Sequence, residues 1–299
     1  MKAPLYHICS DENHPDIFFS DFDFKAAMNI LAMCIALFDD IELYAFVLMS
    51  NHLHLLVGGP KDIIDAFFKM FVKSLSKYFR AEGKPNLVSD LNANCHLIED
   101  CEHLLNVIVY IHRNPCVIDW NSSPYTYRWG SGRYYFNPEA VQRYNTCKRR
   151  ITLCQRQQYS HSRKFDGVVS LFETDNYISP LSFCRISECE EMFGSASRYL
   201  FLLTRNIEST KSIAAEIGEH VSYSDSEMYS IVRKLSFKEC GTSDLNCMSP
   251  EQKISLARIL HYEYNSGNKQ ISRLLKLDIS ITDNLFPQSS AGRLRRNRQ

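Results

Sequence analysis

The sequence has no long apolar run. Its longest near-apolar stretch, residues 26–38, is interrupted by Asn29 and is too short for a membrane-spanning helix. The N-terminal residues MKAPLYHICSDENH contain no apolar signal core, so we do not expect secretion. The eleven cysteines are odd in number and form no Cys-x-x-Cys pair, which does not favour a disulfide framework. These absences predict a cytoplasmic protein.

The sequence also has no net charge, since 34 Lys and Arg balance 34 Asp and Glu in 299 residues. The charge is uneven, however. Residues 1–140 contain 11 Lys/Arg against 17 Asp/Glu, net −6, and residues 141–299 are therefore net +6. This asymmetry predicts that the C-terminal half contacts a polyanion. The hydrophobic content of 45% excludes a disordered or fibrous chain.

The first 120 residues alternate short extended runs with amphipathic helices. We expect strands at 5–9, 43–49 and 52–57, with a tight turn at Ser50-Asn51. We expect helices at 24–38, 62–81 and 100–113, the last limited by Pro115. This order predicts an α+β fold in which an antiparallel sheet carries its helices on one face.

The chain divides into three predicted parts. These are a first domain at 1–140, a basic connector at 141–180 and a mainly helical region at 181–299. Within 250–286, a helix, a Gly-containing turn and a short helix resemble a helix-turn-helix, and a plain helical hairpin is the alternative. The second helix would offer DNA the side chains of Lys269, Gln270, Arg273 and Lys276. The C-terminal tail is rich in arginine, and we expect it to contact phosphates. Its arginines are Arg293, Arg295, Arg296 and Arg298.

The motif MSNHLHLLV at residues 49–57 is the sharpest feature. Alternate residues of a strand point to one face, so His52 and His54 project together from an exposed sheet face. Two adjacent imidazoles can chelate one divalent cation. The alternative is a pair of surface histidines without a ligand.

A second motif, YIHRNP at residues 110–115, lies on a predicted helix. Tyr110 and Asn114 are four residues apart and share one face, which we expect to point outward. The opposite, core-facing stripe consists of Leu104, Val107, Ile108 and Ile111. An ordinary surface helix is the alternative.

The two motifs together predict one site. His52, His54 and the Asn114 amide would give a cation three ligands and leave positions open for a phosphate. Nitrogen and oxygen donors without a thiolate allow Mg²⁺ or Mn²⁺. Tyr110, one helical turn from a ligand, would be the nucleophile.

Further positive side chains could contact DNA. Arg113 lies beside the tyrosine face. One side of the 62–81 helix could follow a DNA backbone, with a solvated helix face as the alternative, through Lys69, Lys73, Lys77 and Arg80. Between residues 95 and 103, two Cys and two His occur at a spacing of no common zinc finger, so we predict no zinc site there.

The combined motifs resemble the REP-associated tyrosine transposases of the HUH endonuclease superfamily. The resemblance covers roughly residues 4–136, from Tyr6-His7 to RWGSGRYYF at 128–136, with Ser50 and Gly130 where the family usually has Pro and Ser. It implies a ferredoxin-like catalytic domain that cuts single-stranded DNA near hairpins, forming a 5′-phosphotyrosine and freeing a 3′-OH. His52 and His54 match the metal-binding pair, Tyr110 the nucleophile and Asn114 the third ligand.

This resemblance implies a metal-dependent transposase whose partner is single-stranded hairpin DNA. A second copy of the chain is a candidate partner, and no membrane partner is expected. A non-catalytic DNA-binding protein that kept the fold is the alternative from another class. A metal hydrolase that activates water is a third possibility.

Overall fold

A computed structural model describes residues 3–11, 14–85, 87–88, 91–118, 123–205, 207–217, 225–241, 244–245, 248–264 and 266–287. Its first elements are β1 (Leu5–Ser10), α1 (Asp21–Ile35), β2 (Glu42–Leu48), β3 (Leu53–Gly58), α2 (Lys61–Ala81) and β4 (Ala93–Leu97). The strands form an antiparallel sheet in the order β2-β3-β1-β4. A β-α-β-β-α-β chain with this strand order is ferredoxin-like, so the predicted α+β class is confirmed.

The local sequence accounts for most of these elements. Ser20 caps α1 in a capping box with Asp23. The predicted turn at Ser50-Asn51 joins β2 to β3, where the Met49 amide donates to the His52 carbonyl at 2.8 Å. Strand β4 was not predicted; its five residues, ANCHL, alternate in polarity but contain no β-branched residue and no Phe, Tyr or Trp, and none is fully buried.

The first sheet is followed by α3 (Cys101–Ile118) and a set of shorter elements. The helices are α4 (Pro138–Cys147), α5 (Leu153–Ser160), α6 (Ile186–Phe193), α7 (Ala196–Arg205) and α8 (Ile207–Ile217). The strands β5 (Arg149–Arg150), β6 (Phe172–Thr174) and β7 (Tyr177–Ile178) form a small antiparallel sheet. This sheet is tied to α1, because the Ile178 amide donates to the buried Asn29 side chain at 2.8 Å.

Helices cover both faces of the four-stranded sheet. Ile8 of β1 lines a cavity with Ile64 and Phe68 of α2. Its neighbour His7, which points to the other face by strand alternation, lies against Tyr110 of α3 with ring centroids 6.0 Å apart. The expectation of helices on one face, and of an exposed histidine face, is therefore wrong. An amphipathic pattern shows that a helix packs, but not which face of a sheet receives it.

Helix α3 differs from its prediction in two further ways. It continues through Pro115 to Ile118, although an end was predicted before the proline. Its tyrosine face is also not outward, since Tyr110 is only 6% exposed. Helices α7 and α8 both pack against α3. A proline disfavours helical backbone at the residue before it. In α3, contacts with distant segments outweigh that local preference, and the helix continues.

The chain forms two compact units, residues 1–219 and 220–299. The limits predicted at 140 and 180 fall within the first unit, and the stretch interpreted as a connector carries β5, α5, β6 and β7. Within the described part of the chain, no helix has both the length and the hydrophobicity needed to cross a membrane.

The second unit contains α9 (Asp225–Cys240), α10 (Pro250–Tyr264), α11 (Asn268–Leu275) and α12 (Ile279–Leu285). Helices α10 and α11 match the predicted helix, turn and short helix. Helix α11 buries Ile271, Leu274 and Leu275, while Lys269 and Arg273 are exposed and Gln270 is half-buried. Its role in DNA binding stays a prediction. The arginine-rich tail lies outside the described residues.

Candidate metal and nucleophile site

Three side chains predicted as metal ligands meet on the face of the sheet that α3 covers. His54 lies on β3, and His52 lies just before it, with ring centroids 5.1 Å apart. The Asn114 amide of α3 lies between them. Its Oδ1 is 3.1 Å from His52 Nε2, and its Nδ2 is 3.2 Å from His54 Nε2. The sequence-predicted triad is thus brought to one point in the structure.

The separation of His52 Nε2 and Asn114 Oδ1 suits two neighbouring ligands of a small divalent cation. Donors at 2.0–2.1 Å from an octahedral ion lie about 3.0 Å from their neighbours, close to the observed separation. In the tautomer in which His52 Nδ1 donates to Asn51 Oδ1, at 2.8 Å, His52 Nε2 and Asn114 Oδ1 are both acceptors. Two acceptors 3.1 Å apart repel unless a cation lies between them. The donor set therefore fits Mg²⁺ or Mn²⁺.

The electrostatics of the site favour a neutral imidazole at His54, the form that binds metal. Burial, together with His52 and His7 nearby, holds the pKa of His54 well below its ordinary value. Among the described residues, no group of three or more His, Cys, Asp or Glu side chains is placed to hold a metal ion. The third donor at this point is an amide, which gives the site no negative charge of its own.

His7 is a site residue that sequence reasoning missed. Its Nε2 is 3.2 Å from His54 Nδ1, and the two rings stack with centroids 5.3 Å apart. Burial, with lesser effects from His96 and His103, lowers the pKa of His7 to about 3. If His54 Nε2 offers its lone pair to a cation, His54 Nδ1 carries the hydrogen and donates it to His7. The sequence does place a histidine on β1. Which residue His7 contacts, however, depends on how β1 and β3 pair in the sheet.

Tyr110 packs edge-on against the histidines. Its ring centroid is 5.5 Å from that of His54, at an interplanar angle of 90°. The opposite side of α3 is fixed by His112, whose Nδ1 lies 2.9 Å from Tyr199 Oη and whose Nε2 lies 2.9 Å from Ser131 Oγ. These contacts set the rotation of α3 and point Tyr110 and Asn114 at the sheet. Asn114 is the partly exposed member of the site, so solvent reaches the site there.

The predicted DNA-binding residues are not all brought to this site. The positive side of α2 is exposed and consists of Lys69, Lys73, Lys77 and Arg80. Helix α2 covers the face of the sheet opposite to the histidines, so these four side chains do not line the candidate site. Arg113 is on α3 and is only 6% exposed. Lys269, Gln270 and Arg273 belong to the second compact unit. Their roles in DNA binding stay predictions.

No protein-family model matches the sequence, and no curated protein matches it. A solved structure of a REP-associated tyrosine transposase bound to a REP hairpin is similar to part of this chain, with a TM-score of 0.37 and 13% sequence identity. The similarity covers 48% of this chain and 82% of that one. A likeness at this level does not assign an activity to this chain.

Proposed function

We propose that this protein is a metal-dependent, single-tyrosine DNA strand transferase. It cleaves and rejoins single-stranded DNA at hairpin-associated sites, as a transposase does. The observation that carries the proposal is the convergence of two imidazoles and one amide on a single point, with a tyrosine ring packed against one of those imidazoles. Metal ligands next to a potential oxygen nucleophile suit phosphoryl transfer.

The residues of the site have separate roles in this proposal. His52, His54 and Asn114 hold Mg²⁺ or Mn²⁺ beside Tyr110. A bound divalent cation supplies charge that polarises the scissile phosphate and stabilises the developing negative charge. His7 orients His54. The three donors carry no negative charge of their own, so they would not neutralise a cation that they held.

The proposed reaction is a transesterification. Tyr110 Oη bonds to phosphorus, and the bond from phosphorus to the 3′ oxygen breaks. The phenol loses a proton and the leaving 3′ oxygen gains one, so the products are a 5′-phosphotyrosine and a free 3′-OH. One phosphoester replaces another, so attack by a 3′-OH can run the step backwards and rejoin a strand.

The test is incubation of the full chain with labelled single-stranded hairpin DNA and Mn²⁺, followed by denaturing electrophoresis. We expect a covalent protein–DNA adduct that Tyr110→Phe abolishes, because this change removes only the phenolic oxygen. Tyr78→Phe, on α2 at the other face of the sheet, is the matched control and should leave the adduct intact. Cleavage without an adduct would favour activated water, and binding without cleavage would favour the non-catalytic DNA-binding alternative.

A further inference from the structure

Two aromatic side chains are strongly exposed at the start of α1. Phe19 is 63% exposed and Phe22 is 77% exposed, the highest value among the described large hydrophobic side chains. Arg128 adjoins them, since its Nη1 lies 3.2 Å from Oδ2 of Asp21. Phe19, Phe22 and Arg128 form what we call the aromatic platform. Burying its rings would release free energy, so their exposure needs an explanation.

The aromatic platform is attached to the turn that holds the candidate site. The Ile17 and Phe18 amides donate to the Ser50 carbonyl at 2.6 and 3.0 Å, and Ser50 is two residues before His52. On the other side, the Leu48 amide donates to the Trp129 carbonyl at 2.8 Å, next to Arg128. At about 3.8 Å per residue, the backbone of Phe19 lies within roughly 15 Å of that of His52. A single DNA strand whose cleaved phosphate is bound at the candidate metal and nucleophile site would therefore reach the platform within a few nucleotides.

We propose that the aromatic platform binds the bases of single-stranded DNA flanking the cleaved phosphate, by stacking on Phe19 and Phe22. This inference rests on the proposed function, because that function supplies the strand. Every base has a π face, so aromatic side chains bind single strands without regard to sequence. Two phenylalanines are small for a protein interface, which needs roughly 1,000 Å² or more.

The charges around the platform make stacking the main source of its affinity. Arg128 is paired with Asp21, and its guanidinium carbon lies 5.1 Å from the centroid of the Trp129 ring. Asp16 is exposed nearby. Arg128, Asp21 and Asp16 together sum to a charge of −1, so the platform offers phosphates little net attraction and binding there releases few counterions. Affinity from stacking should depend weakly on salt, unlike affinity from phosphate contacts.

The test measures binding of the full chain to fluorescein-labelled oligo(dT) by anisotropy, without divalent cations so that no cleavage occurs. Stacking is worth about 1–3 kcal/mol per base, so Phe19→Ala and Phe22→Ala should each weaken binding at least about five-fold. The slope of log K against log salt should not change. Arg128→Gln should lower that slope by up to about 0.7.

Phe201 on α7 provides the matched control, since it is 58% exposed and lies outside the platform. Phe201→Ala should bind oligo(dT) as the parent does. Phe22→Trp should retain binding and add tryptophan fluorescence that oligo(dT) quenches, whereas Phe22→Leu should bind like Phe22→Ala. Parental affinity in Phe22→Ala, parental affinity in Phe22→Leu, or an equal loss in Phe201→Ala would each overturn the inference.

This experiment separates the inference from the proposed function. A chain that forms no adduct but loses oligo(dT) affinity in the phenylalanine variants supports the platform and refutes the transferase. A chain that forms the adduct but binds oligo(dT) equally in all variants refutes the platform and supports the transferase.

Discussion

The contact between His7 and His54 gives a prediction specific to this structure. His7→Leu keeps nearly the same side-chain volume and removes both ring nitrogens. We expect Mn²⁺ affinity to fall, because the substituted side chain no longer accepts from His54 Nδ1, 3.2 Å from His7 Nε2. Without that partner, His54 can rotate or adopt the tautomer whose Nε2 carries hydrogen and cannot bind metal.

The size of the effect follows from burial. Both imidazoles are buried, so water does not replace the lost partner. A buried donor left unsatisfied costs about 1–3 kcal/mol, which is roughly 5- to 150-fold in an equilibrium constant. Loss of a partner behind a metal-binding histidine typically weakens metal binding 10- to 100-fold. These ranges overlap, so we expect Mn²⁺ binding to weaken by about one order of magnitude or more.

Isothermal titration calorimetry of the full chain with Mn²⁺ measures this change. The conservative variant His7→Gln places an amide oxygen near the position of Nε2 and should restore part of the affinity. Urea denaturation of the same variants reports whether fold stability alone explains the loss. The reasoning is refuted if His7→Leu binds Mn²⁺ like the parent while His52→Ala does not bind it. A parent chain that binds no Mn²⁺ refutes the metal site itself.

Three further predictions concern separate parts of the chain. His52→Ala should abolish Mn²⁺ binding and the DNA adduct, whereas Asn114→Ala should retain weaker Mn²⁺ binding because a neutral amide is a poorer ligand; calorimetry giving equal losses would contradict this. If α11 contacts duplex phosphates, Arg273→Ala should lower the salt slope of hairpin binding by about 0.9, and an unchanged slope would exclude that contact. His112→Leu removes two buried hydrogen bonds of 2.9 Å and should lower the free energy of unfolding in urea by about 1–3 kcal/mol. The exposed-site control His161→Leu should change it by less than about 1 kcal/mol.

Short-range patterns in the sequence correctly predicted the hairpin and the main helices of the first sheet. The turn at Ser50-Asn51 and the apolar stripe of α2 each depend on residues a few positions apart, and both are present. The same local spacing placed His52 beside His54 and Tyr110 one turn from Asn114. Strand alternation and helical periodicity are enough to specify such pairs.

Strand register and helix placement came only from the tertiary structure. His7 contacts His54 because β1 lies beside β3, a pairing between residues 47 positions apart that no local pattern encodes. Tyr110 is buried because α3 places it against His7 and His54 on the histidine face of the sheet. The sequence by itself determined which side chains share a face of their own strand or helix. The packing of distant segments decided which faces meet, because apolar burial rewards any complementary surface wherever it lies along the chain.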